Sequence, residues 1–106
     1  MIGAFEFGTT ATVCLIREEA GQRVMYIANV GDTKACVVHA SGVERLSYEH
    51  KGTDQNEYQR ITRAGGLVLL GRVSGTLAVT RALGDHQLKT EGCIANPTIN
   101  RRIISY

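Results

Sequence analysis

Short apolar runs dominate the first half of the chain, and a helical spacing takes over in the middle. Residues 9–16 (TTATVCLI) are β-branched and almost continuously apolar, the pattern of a strand covered on both faces. Residues 17–22 form a polar loop around the turn residue Gly21, and residues 24–30 (VMYIANV) are the next strand. Gly31-Asp32 makes a tight turn, and residues 34–39 (KACVVH) return. A further hairpin turn at Ala40-Ser41-Gly42 leads to a short strand around residues 43–46. The result is an antiparallel meander whose apolar character predicts packing against a second layer. The period then changes. Asp54 with Glu57 three residues on resembles a capping box, the aspartate taking the usual serine or threonine place. Tyr58, Ile61 and Ala64 set an apolar stripe on a helix of about three turns, and Arg60 and Arg63 favour its C-terminal dipole. Gly65-Gly66 ends it. Residues 67–70 and 75–79 read as short strands, Asn96-Pro97 as a turn, and residues 98–104 as the last strand.

Composition sets bounds on this picture. With 106 residues, 43% hydrophobic and one proline, the chain is one small domain or part of one, and it is not disordered. The net charge of +2 is scattered, with no basic stripe and no interleaved aromatics, so no nucleic-acid partner is expected. The apolar runs are too short for a membrane span, and no signal peptide is read at the N-terminus. Cys14, Cys36 and Cys93 lack CxxC spacing and are expected to be reduced core thiols, with a Cys14–Cys36 disulfide as the alternative. This suits a cytoplasmic protein, with the nucleus as an alternative.

Candidate chemistry is sparse. The chain has three aspartates, Asp32, Asp54 and Asp85. His50 and His86 adjoin Glu49 and Asp85, but sequence neighbours do not make a site and no nucleophile motif accompanies them. Cys36 and His39 lie three apart in a strand and point to opposite faces, against zinc. Gly31-Asp32-Thr33-Lys34 lacks the spacing of a phosphate-binding loop.

Several ordered segments nevertheless share one pattern: GTTATVCLI (8–16), YIANVGDTKA (26–35), LSYEHK (46–51), then Glu57, Arg60, Ile61, Gly65, Gly66 and Val68, RVSGTLAVTRALGD (72–85), Lys89 and Pro97. Together they resemble the central part of the metal-dependent type 2C serine/threonine protein phosphatases. Thr33-Lys34 stands for Ser-Arg, Glu49 for Asp, Gly52 for Pro and Thr80 for Ser. The resemblance implies an α+β fold, a partial two-layer antiparallel β-sandwich with at least one flanking helix. It implies Mg²⁺- or Mn²⁺-dependent hydrolysis of phosphoserine and phosphothreonine in phosphoprotein substrates by metal-activated water. Asp32 corresponds to a ligand of an accessory metal, and residues 53–74 to a flap beside the active site, with a plain surface excursion as the other reading. The upstream Asp-Gly-His and the downstream Asp-Gly and Asp-Asn motifs of the family are absent, so residues 1–106 are expected to be a partial domain. Hard divalent cations need several oxygen ligands. No catalytic residue is therefore assigned, and Asp32 alone is assigned to metal. The isolated chain is expected to be inactive and to associate as a homodimer or oligomer through exposed strand edges. The alternative is a catalytically dead phosphatase-like module that binds partners.

Overall fold

The computed structural model describes residues 5–104. Its centre is an antiparallel sheet built on β2 (Ala11–Glu19), β3 (Gln22–Val30) and β9 (Thr98–Ile104), in the order β2-β3-β9. Between them in sequence lie β1 (Gly8–Thr9), the hairpin β4 (Cys36–His39) and β5 (Gly42–Arg45), and helix α1 (Gln55–Arg63). The hairpin β6 (Val68–Leu69) and β7 (Arg72–Val73), then β8 (Leu83–Gly84) and a 3₁₀ helix (His86–Glu91), complete the chain. The α+β fold class expected from the sequence is the one observed.

The meander is cut short after its first hairpin. β3 does not pair with β4; its second neighbour is β9, with Ala28 opposite Ile99 and Met25 opposite Arg102. The expected loop at residues 17–22 is largely strand. Arg17, Glu18 and Glu19 pair with Val24, Arg23 and Gln22, and only Ala20-Gly21 turns, with φ of 51° and 78°. A two-residue turn with both φ positive matches the right-handed twist of the strands it joins.

Side chains opposite one another in an antiparallel ladder share a face. One face presents Met25 and Ile27 to Leu46, with Ala35, Val37 and Ile104 packed around them, and this is the core cluster. The other face carries Val13, Leu15, Ile99 and Ile103, which stay 61, 53, 62 and 52% exposed. The expectation that residues 9–16 are covered on both faces therefore fails: Val13 and Leu15 on one face and Cys14 and Ile16 on the other are all exposed. Cys14 and Cys36 are exposed and only Cys93 is buried; all three are free, so the core-thiol reading holds for Cys93 alone and the disulfide is not formed.

Helix α1 starts where expected, with the Asp54 carboxylate accepting from the Glu57 N–H at 3.0 Å. The capping box is only half made, since the Glu57 side chain turns inward. Of the expected stripe only Ile61 is buried; Tyr58 and Ala64 are exposed. Gly65, at φ 87°, ends the helix as its sequence implies. No strand spans residues 75–79, where isolated bridges join Leu77 to Val73 and Val79 to Lys51.

Candidate functional site

The Gly31-Asp32 turn is the element that the sequence marks out, and a buried polar network fixes it. Gly31 has φ of 103°, and a Cβ there would lie 2.3 Å from Thr10 Cγ2, so only glycine fits. Its N–H donates to His50 Nδ1 at 3.0 Å and its carbonyl accepts from the His50 N–H at 2.8 Å. Asn29 Nδ2 donates to Gly31 O at 3.0 Å and to Tyr48 O at 2.7 Å, while Thr12 Oγ1 donates to Asn29 Oδ1 at 2.5 Å.

His50 is fully buried. With Nδ1 accepting from a backbone N–H, the proton sits on Nε2, which donates to Thr98 Oγ1 at 2.7 Å. Burial first, and then the nearby Arg81, hold its pKa below the ordinary value. It is a neutral clamp between the turn and β9, not an acid or base. Asp32 itself is partly exposed on that clamped turn.

Two further charged clusters flank this region. Glu57 keeps 2% of its surface exposed. Thr80 Oγ1 and Arg81 Nε each donate to its Oε1 at 2.8 Å, Arg81 Nη2 donates to Oε2 at 2.9 Å, and Arg60 reaches it at 3.2 and 3.3 Å. Burial pushes the carboxyl up, but the bonds from Arg81, Arg60 and Thr80 outweigh it and hold the pKa at about 2. The two guanidiniums then grip the backbone, Arg60 through Gly92 O and Arg81 through Asn96 O. This knot locks α1 to the segment after β7. The sequence marks Glu57 as a cap, Arg60 as a dipole charge and both as part of the family pattern, but nothing local reveals that Arg81 meets them.

The second cluster centres on Glu49, where Lys51, Arg45 and Lys34 approach one carboxylate at 3.1, 3.2 and 3.5 Å. A hydrogen bond from Lys51 is the main reason its carboxyl lies below the usual range. The two substitutions Glu49 for Asp and Lys34 for Arg thus face one another as an ion pair. Arg45, Tyr48, Glu49, Lys51 and Asp54 line a cleft of about 380 Å³ beside them.

The remaining candidates do not converge. Asp54 is spent on its cap and on the Tyr48 hydroxyl, which donates to it at 2.7 Å. Asp85 sits in a left-handed turn against Gly8, where a Cβ would lie 2.2 Å from its carboxylate. His86 is exposed on the 3₁₀ turn. His39 approaches Glu44 at 3.5 Å, as part of a surface pair with Arg102. Among the described residues no three His, Cys, Asp or Glu side chains come together as a cation site. Measured against the oxygen-rich cage that Mg²⁺ or Mn²⁺ needs, the donor set present in this chain does not fit a binuclear centre.

The decisive observation is the match between this order of segments and a family sequence model described as Protein phosphatase 2C, which covers residues 4–106. The chain belongs to the protein phosphatase 2C family. It is 49% identical over 84 residues to Protein phosphatase 2C homolog 1 of Schizosaccharomyces pombe, covering 77% of this chain and 24% of that protein. Over 91 residues it is 43% identical to Protein phosphatase 2C homolog 1 of Saccharomyces cerevisiae, covering 74% and 32%. Among solved structures it is similar to a sex-determining protein of C. elegans, with a TM-score of 0.81 and 30% identity over 92% of this chain and 24% of that one. A phosphatase from Toxoplasma gondii gives a TM-score of 0.69 and 33% identity, over 79% and 29%. This phosphatase 2C chain therefore spans a quarter to a third of the curated relatives above. No helix among its described residues is long and apolar enough to cross a membrane.

Proposed function

We propose that this chain is the central portion of a Mg²⁺- or Mn²⁺-dependent protein phosphatase acting on phosphoserine and phosphothreonine, and that on its own it is catalytically silent. The supporting observation is the contrast between one clamped, partly exposed carboxylate, Asp32, and the lack of any companion cation ligands among the described residues. In this reading Asp32 faces an accessory metal of the complete domain. His50, Asn29 and Thr12 set the turn that carries it, and the Glu57 knot keeps the surrounding scaffold rigid. Phosphoproteins are the substrate class of that complete domain, and chains associate through their uncovered sheet face.

The test is phosphate release from a phosphothreonine peptide by residues 1–106 with Mn²⁺, alongside Asp32→Ala. Neither protein is expected to turn over. Activity that disappears in Asp32→Ala would overturn the silent-fragment reading, because it would require chains to assemble a site jointly.

A further inference from the structure

Strands β4 and β5 form a two-stranded sheet of their own, laid against the core face of β3 and β9. The hairpin is held at two points. At its open end Leu46 is buried beside Met25 and Ile27, and its carbonyl accepts from Asn100 Nδ2 at 2.5 Å. Nearer the tip the Glu44 carboxylate accepts from Arg102 Nη2, while His39 Nε2 approaches the same carboxylate at 3.5 Å. The side chains between hairpin and sheet do not close up completely. They leave a cavity of about 160 Å³ against Met25, Val37 and Ile104, with His39, Glu44 and Arg102 also lining it. Met25 is buried, and Val37 and Ile104 pack on the core cluster, so this apolar wall is part of the fixed interior. Val38 lines the cavity too and is 75% exposed, so the space opens on solvent.

A preformed apolar cavity with a few polar groups is the general form of a small-molecule site. Pockets for drug-sized ligands begin at about 300 Å³, so this one suits a short branched aliphatic group. Its charged lining selects the rest of the ligand. Arg102 and His39 stand against the single carboxylate of Glu44. A guanidinium offers five N–H donors in a planar fork that matches carboxylates, and the bond to Glu44 is made by Nη2. A cationic ligand would be set against Arg102, whereas a carboxylate would add a charge-assisted hydrogen bond.

We propose that this cavity binds a small branched aliphatic carboxylate, its alkyl group against Met25, Val37 and Ile104 and its carboxylate on the Arg102 guanidinium beside Glu44. The cavity shares no lining residue with the Glu49 cleft and does not include Asp32, so the proposal is independent of the phosphatase reading.

Methyl NMR of the 106-residue chain labelled at methionine tests it, because Met25 reports from the cavity wall. The probe is 3-methylbutanoate, with 3-methylbutan-1-ol as its neutral counterpart and acetate as its truncated one. The acid is expected to shift the Met25 methyl resonance saturably in the low millimolar range, the scale that about seven non-hydrogen atoms can supply. Both controls should bind about tenfold more weakly or worse, since each lacks one of the two contacts. Arg102→Gln should lower affinity for the acid to that for the alcohol and leave the alcohol unchanged, a selective loss that unfolding could not produce. Val38→Glu sets a like charge at an exposed wall residue and should abolish acid binding with an unchanged melting temperature. Shifts that rise linearly without saturating, equal binding of acid and alcohol, or an Arg102→Gln variant that still prefers the acid would overturn the proposal.

Discussion

Burying a carboxylate costs several kcal/mol unless hydrogen bonds and opposite charge replace the lost water, and at Glu57 two arginines and a threonine do so. Removing the charge alone, in Glu57→Gln, leaves Arg60 and Arg81 without their anion, so we expect a loss of about 3 kcal/mol in urea unfolding. The pH dependence carries the same signature. The folded pKa of about 2 lies below the ordinary 4.5, so the unfolded chain binds the proton first. The stabilisation is complete above about 4.5 and drains away as pH falls toward 2. His50 acts in a separate window. Its folded pKa is lowered from 6.5, so below that value the unfolded state takes up a proton that the buried ring resists, and stability declines as pH drops. Unfolding curves between pH 2 and 8 should therefore show two acid-side losses. His50→Gln should erase the upper one and Glu57→Gln the lower. A His50→Gln profile that keeps its decline just below pH 6.5 would show that the ring is not the group responsible.

At the level of elements, the β2–β3 hairpin shows what local chemistry decides and what it leaves open. Its turn places Ala20 at φ 51°, a left-handed conformation that costs an alanine about 1 kcal/mol. Ala20→Asn should recover about 0.5–1 kcal/mol, seen as a higher urea midpoint with an unchanged slope. No gain would mean that the turn differs from the one described. The same hairpin marks a limit of legibility. Val24, Ile27 and Val30 are apolar and buried, so β3 could be read from sequence. Arg17, Glu18 and Glu19 are strand residues at a solvent-facing edge, where polarity imitates a loop. The partnership of β3 with β9 joins residues far apart in sequence, from Asn29 with Thr98 to Arg23 with Ile104, and no periodicity encodes it. The start and stop of α1 were legible because Asp54 and Gly65 act locally, whereas the inward turn of Glu57 depends on Arg81, far along the chain. For the candidate site, ordered motifs located Asp32. Its clamp escaped notice because His50 and Asn29 acquire their roles only when the turn closes on them.

The dimensions of the whole molecule point to an unfinished surface. Its radius of gyration is 16.0 Å and its extents are 45 × 31 × 20 Å, whereas a compact domain of this length has a radius near 13 Å. The expansion reflects a slab whose sheet is packed on one face and open on the other. Val13 and Ile99 flank Ala28 on that face, and Leu15 and Ile103 lie further along it, separated by Tyr26 and Arg101. Apolar surface of that kind drives association at about 25 cal/mol per Å² removed from water. We expect light scattering to show a mass that rises with concentration in the micromolar range. Leu15→Thr combined with Ile99→Thr should shift the protein toward monomer. Both residues are already exposed, so the exchange removes little internal packing, and threonine keeps the β preference of the strands. The free edge of β2 makes a competing expectation, since pairing along that edge would use backbone bonds and leave the double variant as associated as the parent. A monomeric parent at all concentrations would defeat both routes. A monomeric double variant from an associating parent would assign the contact to the sheet face.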